Sequence, residues 1–176
     1  MALTVEALII ELTQQLAEAG LFYGHGSDNP ADEAAELVFF AAALKHEQAP
    51  ACYSDHLDDV VIGKARALVQ RRIEERLPAA YLTQRMWFAG HEFYVDERVL
   101  VPRSPIAELV QAQFQPWINP QQVKRMLDIG TGSGCIAIAC ALAFPEARVD
   151  AADISTDALA VTQINIERHQ LTSRMR

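Results

Sequence analysis

The stretch Leu127-Asp128-Ile129-Gly130-Thr131-Gly132-Ser133-Gly134-Cys135 joins a short apolar run, Val123 to Ile129, to a helix-forming run, Ser133 to Phe144. Such an order reads as strand, turn and helix. Three glycines in the turn let the backbone bend sharply and approach a ligand with no Cβ in the way, while free N–H groups at the helix start aim toward it. A second strand, Ala147 to Ala152, and a second helix, Ser155 to His169 with Leu159, Ile164 and Ile166 as apolar contacts, follow at once. Strand, helix, strand, helix implies a parallel sheet with right-handed crossovers. Asp153 ends the second strand, 19 residues past Gly134. An acidic side chain there is placed to accept the hydrogens of a ribose diol, which makes an adenosyl-type ligand the natural occupant. The dinucleotide fingerprint G-x-G-x-x-G is not met, because Cys135 stands where its third glycine belongs, and this argues against NAD.

Upstream of the loop the pattern differs. Met86-Trp87-Phe88 and Phe93-Tyr94-Val95 flank Ala89-Gly90-His91, which predicts a hairpin with a glycine in its turn. Val99-Leu100-Val101 suggests a further strand before Pro102, and Ser104-Pro105 opens a helix through Ile106, Leu109 and Val110. Residues 1–78 read as a small helical bundle. Val5, Leu8, Ile9, Leu12, Leu16 and Ala19 recur at helical spacing between a Thr4 cap and Gly20. Asn29-Pro30 starts a second helix that buries Leu37, Val38, Ala41 and Leu44. A third is expected from about His56 to Arg76 through Val60, Val61, Lys64, Leu68 and Ile73, stopped by Pro78.

The 176 residues carry a net charge of −8, and hydrophobic residues make up 51%, the composition of a folded globular chain. Acidity is concentrated in residues 1–78, which hold 13 acidic and 6 basic side chains. No basic footprint for nucleic acid is present; the acid excess suits a basic protein partner or serves solubility alone. The apolar run Gly134–Phe144 is too short to cross a bilayer, and the N-terminus, with Glu6 and Glu11 in its apolar stripe, lacks the form of a secretory signal. Cys52, Cys135 and Cys140 contain no C-x-x-C pair, which fits a reducing compartment; a cytoplasmic protein is expected. His46, Cys52 and His56 are too loosely spaced for a zinc site, so no metal is expected. Gly132-Ser133-Gly134 lacks the G-x-S-x-G frame of a hydrolase.

Asp128, two residues before the first glycine, completes D-x-G-x-G-x-G, which resembles motif I of the class I S-adenosylmethionine-dependent methyltransferases. The blocks Leu77-Pro78-Ala79-Ala80-Tyr81-Leu82, Trp87-Phe88-Ala89-Gly90-His91-Glu92-Phe93 and Val99-Leu100-Val101-Pro102-Arg103 precede the loop in the order found in bacterial protein-(glutamine-N5) methyltransferases. After Pro102-Arg103 the chain reads Ser104-Pro105-Ile106-Ala107-Glu108 rather than the Pro-x-Thr-Glu of the release-factor branch. It therefore looks like the sister branch that methylates a glutamine of large-subunit ribosomal protein three.

The resemblance implies an α/β fold: a helical substrate-recognition domain over 1–78, a β-hairpin linker over 79–101 and a partial Rossmann-like cofactor domain over 102–176. It implies S-adenosylmethionine as cofactor, held by Asp128, Gly130, Thr131, Gly132, Gly134 and Asp153, with Arg103 helping to shape the pocket. The family's Asn-Pro-Pro-Tyr substrate clamp is not present; Asn29-Pro30-Ala31 and Asn119-Pro120-Gln121 are the only Asn-Pro pairs, so no catalytic residue is assigned. The chain accordingly reads as the N-terminal portion of a longer enzyme, inactive by itself. A release-factor methyltransferase, a nucleic-acid amino-methyltransferase and a non-catalytic acidic binding module are the competing readings.

Overall fold

The computed structural model describes residues 3–24 and 26–176, which divide into two compact units meeting between Thr83 and Gln84. The division lies a few residues beyond Pro78 because Ala79–Thr83 forms one more short helix that packs with the first unit, while the hairpin belongs to the second.

The first unit contains α1 (Val5–Glu18), α2 (Pro30–Ala42), a 3-10 turn (His46–Gln48), α3 (Asp59–Glu75) and α4 (Ala79–Thr83). Three side-chain caps start its long helices: Thr4 accepts from Ala7 N–H at 3.2 Å, Asn29 from Asp32 N–H at 2.9 Å and Asp58 from Val61 N–H at 2.8 Å. Val5, Leu8, Leu12 and Leu16 bury one stripe of α1 against Leu37, Val38 and Ala41 of α2. The expected face of α3 is corrected. Val60 is 81% exposed and Lys64 lies over the Phe40 ring, whereas Ile62, Ala65, Leu68, Val69 and Arg72 are buried. His56 lies outside the helix and bridges to Thr4. The Asp58 cap starts the helix at Asp59, and Val60 in the first turn lies off the buried face.

The second unit opens with the hairpin β1 (Met86–Phe88) and β2 (His91–Phe93), in register Phe88 to His91. Its turn is the two residues Ala89 and Gly90, both at positive φ (50° and 85°), the primed geometry that matches strand twist. The second strand ends sooner than expected, and Tyr94 and Val95 lie beyond it. His91 is half-buried against the His169 ring rather than solvated at the turn, and burial pushes its pKa down, with His169 adding to the effect. Val99 to Val101 forms no strand, although Val99 and Val101 are buried around an exposed Leu100. Next come α5 (Ile106–Gln111), β3 (Arg125–Ile129), α6 (Cys135–Ala143), β4 (Arg148–Ala152) and α7 (Thr156–Arg168). β3 and β4 pair in parallel from Arg125–Arg148 to Ile129–Ala152. The sheet also gains a start of pairing that the sequence reading lacked, since Val149 N–H donates to Arg174 O at 3.0 Å and Ala151 N–H to Arg176 O at 2.8 Å. The buried face of α7 is Ala158, Val161, Thr162, Asn165 and Ile166, with Leu159 largely outside it. All three cysteines are free and buried. Among the described residues no helix is long and apolar enough to cross a membrane.

A buried ion pair holds the first unit together. Glu33 and Arg72 are 3% and 4% exposed, and Arg72 Nε donates to Glu33 Oε1 at 3.0 Å. The same oxygen accepts from Ala79 N–H at 3.3 Å, and Arg72 Nη2 donates to Phe22 O at 3.1 Å, so one pair joins α2, α3, the start of α4 and the loop after α1. Removing one partner of such a pair strands a buried charge. Arg72→Met is expected to cost about 3–5 kcal/mol, read from the urea midpoint of the helical ellipticity, and Arg72→Met with Glu33→Gln should recover part of that loss. A single variant as stable as the parent would refute this.

Candidate functional site

The glycine loop leaves β3 and enters α6 in a conformation only glycine holds without strain: Gly130, Gly132 and Gly134 have φ of 76°, 57° and 80°. β4 fastens its first residues, because Gly130 and Thr131 N–H both donate to Ala152 O, at 2.8 and 3.0 Å. Gly134 N–H turns back to Thr131 O at 2.8 Å, and Ile138 N–H then begins the helix on Gly134 O. A Cβ on Gly130 or Gly132 would meet nothing within 4 Å, so both face open space; one on Gly134 would lie 2.9 Å from Thr162 Cγ2. Openness at the first two glycines and close packing at the third are what a ligand seat on a helix N-terminus requires.

Two carboxylates flank the loop. Asp128 accepts from Thr131 Oγ1 at 2.7 Å across the turn. Asp153 accepts from Ser155 N–H and Gly132 N–H, each at 2.9 Å, and these two bonds hold its carboxyl below the usual carboxylate range. The structure thus brings Asp128, Gly130, Thr131, Gly132, Gly134 and Asp153 together. The Asp153 carboxylate keeps lone-pair capacity beyond the backbone bonds it accepts. Arg103 stands exposed after buried Val101 and Pro102.

Two residues absent from the sequence reading complete the loop's surroundings. Thr162 Oγ1 donates to Gly132 O at 2.8 Å, and Asn165 Nδ2 donates to Ser133 O at 2.8 Å. Asn165 is fully buried and also grips the chain just after the hairpin, accepting from Tyr94 N–H at 2.7 Å and donating to Tyr94 O at 2.9 Å. Their signal in the sequence was polarity at i, i+3 on an otherwise apolar helix face. Beside Tyr94, Asp96 accepts from the Tyr94 hydroxyl and from Arg98, and the Arg98 bonds above all pull its pKa down to about 2.

An apolar groove of about 740 Å³ runs beside β3, lined by Ile106, Leu109, Phe114, Trp117, Met126 and Leu127 among others; Asp128 borders it, whereas the glycines and Asp153 take no part in its wall. Leu127 and Ile129 on β3 are mostly exposed, so the expected apolar strand is not a buried one.

Parallel strands joined by a helix, a glycine turn at the crossover and an acid after the next strand define a Rossmann-like nucleotide-binding class, and residues 112–176 match the family described as the methyltransferase small domain. The likeness extends along the whole chain. It is 48% identical over 177 aligned residues, 98% of its own length, to the ribosomal protein uL3 glutamine methyltransferase of Bordetella pertussis, and 46% identical over 173 residues to the protein of that name from Burkholderia pseudomallei. Along its whole length the chain thus resembles proteins named as glutamine methyltransferases. It spans 58% and 56% of the lengths of these two relatives.

Gly134→Ala combines a left-handed backbone with the Thr162 clash and is expected to cost about 1–3 kcal/mol more than Gly130→Ala, measured by thermal unfolding; equal losses would show that the contact is irrelevant. Because the folded pKa of Asp153 is depressed, its contribution to stability is present above the unfolded carboxylate pKa and is lost as pH falls through the folded one. The stability gap between the parent and Asp153→Asn should therefore be constant at neutral pH and close on acidification. A gap that stayed constant down to strong acid would contradict the assignment.

Proposed function

We propose that this chain carries the cofactor seat and the substrate-recognition helices of an S-adenosylmethionine-dependent enzyme that methylates the N5 nitrogen of a glutamine side chain in large-subunit ribosomal protein uL3. The observation that carries the reading is the single hydrogen bond from Gly132 N–H to Asp153, which brings the glycine loop and the ribose-type acid to one place. The cofactor would supply an electrophilic methyl group. The chain's part is to hold it: Gly130 and Gly132 admit it close to the backbone, Asp128 and Thr131 line the turn, Asp153 offers its remaining lone pairs to the ribose, and Arg103 would help to shape the pocket. A glutamine amide nitrogen is a poor nucleophile because its lone pair is delocalised into the carbonyl. Alignment of nitrogen, methyl and sulfur must then supply much of the rate, roughly 7–11 kcal/mol in favourable cases. No catalytic residue of this chain is assigned to that step. The acidic helical unit suits a basic ribosomal protein, and the names of the two relatives favour uL3 over a release factor. A cytoplasmic setting accords with such a substrate.

Titration calorimetry of the chain with S-adenosylmethionine, S-adenosylhomocysteine and NAD tests the seat. The two sulfur compounds should bind and compete, NAD should not, and Asp153→Ala should weaken binding by at least about tenfold, the scale of a charge-assisted hydrogen bond. Absence of binding would overturn the reading. Labelled-methyl transfer to uL3, run beside a full-length relative, should be undetectable for the 176-residue chain; incorporation equal to the relative's would overturn that part.

A further inference from the structure

The C=O and N–H of one planar trans peptide point in opposite directions, so fixing a loop carbonyl also fixes the N–H that follows it. In this loop the carbonyls of two successive residues, Gly132 and Ser133, both face α7, where each meets a buried side-chain donor: Thr162 Oγ1 at 2.8 Å and Asn165 Nδ2 at 2.8 Å. Thr162 and Asn165 are three apart and so lie on one side of the helix. Both are nearly or wholly inaccessible, at 3% and 0% exposure, and a buried donor or acceptor left without a partner costs more than the bond itself contributes. With Gly132 O held toward α7, the Ser133 N–H of the same peptide is directed away from it. The next N–H, that of Gly134, is taken by Thr131 O. Of the N–H groups from Gly130 to Gly134, that of Ser133 is the one left without a hydrogen-bond partner among the described residues.

We infer that Thr162 and Asn165 act as positioning residues, a carbonyl clamp on α7 that sets the orientation of the 132–133 peptides and thereby the affinity of the glycine loop for its adenosyl ligand. This rests on the cofactor seat proposed above. Neither residue touches the ligand space; each acts through the loop carbonyl it holds. Asn165 adds a second tie. Its amide spends both donors and one acceptor on Ser133 O, Tyr94 O and Tyr94 N–H, so the segment after the hairpin and the loop share one side chain. A displacement of that segment would reach the loop through a single buried amide.

The test compares S-adenosylmethionine affinity, by titration calorimetry at a temperature where every variant is fully folded, with the amide nitrogen and proton shifts of Gly132, Ser133 and Gly134 in the free chain. Thr162→Val keeps the shape and removes the donor; it should weaken binding roughly five- to tenfold, the scale of one neutral hydrogen bond, and move those three amides. Thr162→Ser keeps the donor and should bind within about twofold of the parent. Asn165→Asp keeps an acceptor for Tyr94 N–H but loses both donors, and should weaken binding at least as much as Thr162→Val. Val161→Ala, on the same helix and fully buried but holding no loop carbonyl, controls for general loosening and should lower stability without changing affinity. If the parent binds and Thr162→Val binds equally well, or if Val161→Ala weakens binding as much, the clamp is refuted while the cofactor seat stands. If the parent does not bind, the seat and the clamp fall together.

Discussion

Peptide geometry at Gly132 and Ser133 is the constraint on which the second unit turns. The loop has to be bent enough to leave β3, rigid enough to start α6, and open where Gly130 and Gly132 face space. Backbone bonds to Ala152 and the Asp153 carboxylate secure one side, and the α7 donors secure the other. Every neighbouring element serves this. β4 must run parallel and in register for its last carbonyl to reach Gly130 and Thr131; α7 must pack closely enough for Thr162 Cγ2 to occupy the space that a side chain on Gly134 would need. A glycine at 134 is therefore a packing requirement as well as a conformational one.

The helical unit obeys a different logic. Its long helices start at side-chain caps and bury aliphatic stripes, but its interior also contains a charged pair whose two oxygens are unequally served: Glu33 Oε1 takes two donors, whereas Oε2 is buried with no hydrogen-bond partner among the described residues. Such a pair adds less stability than an apolar pair of equal size could, but it fixes which residues of α2, α3 and the 20–24 loop meet. The acidic surplus of this unit remains on its surface, where it keeps the field that a basic partner would feel.

Much of this was legible before any coordinates. Caps at Thr4 and Asn29, the stripe of α1, the two-stranded parallel pairing and the glycine turn follow from local chemistry and short periodicities. The errors have a common cause. On α3 Val60 and Lys64 fall outside the buried face that Arg72 completes, and on α7 Thr162 and Asn165 hold the buried places in preference to Leu159 and Ile164. In both helices a polar side chain is buried because a distant partner satisfies it, and no local pattern shows that partner. Tyr94 left the expected strand for the same reason: the Asn165 amide takes the place of a neighbouring strand.

What the sequence determined by itself was the set of chemical groups at the site and the order of elements that presents them, because glycines, caps and an acid at the end of a strand act over a few residues. What only the tertiary structure decided was which way the loop peptides face. That depends on donors 30 and 32 residues downstream, Thr162 and Asn165, whose bonds to Gly132 and Ser133 exist only once α7 has packed against the loop. Burial cuts the two α7 donors off from water, and a polar group so isolated takes whichever partner the fold brings to it.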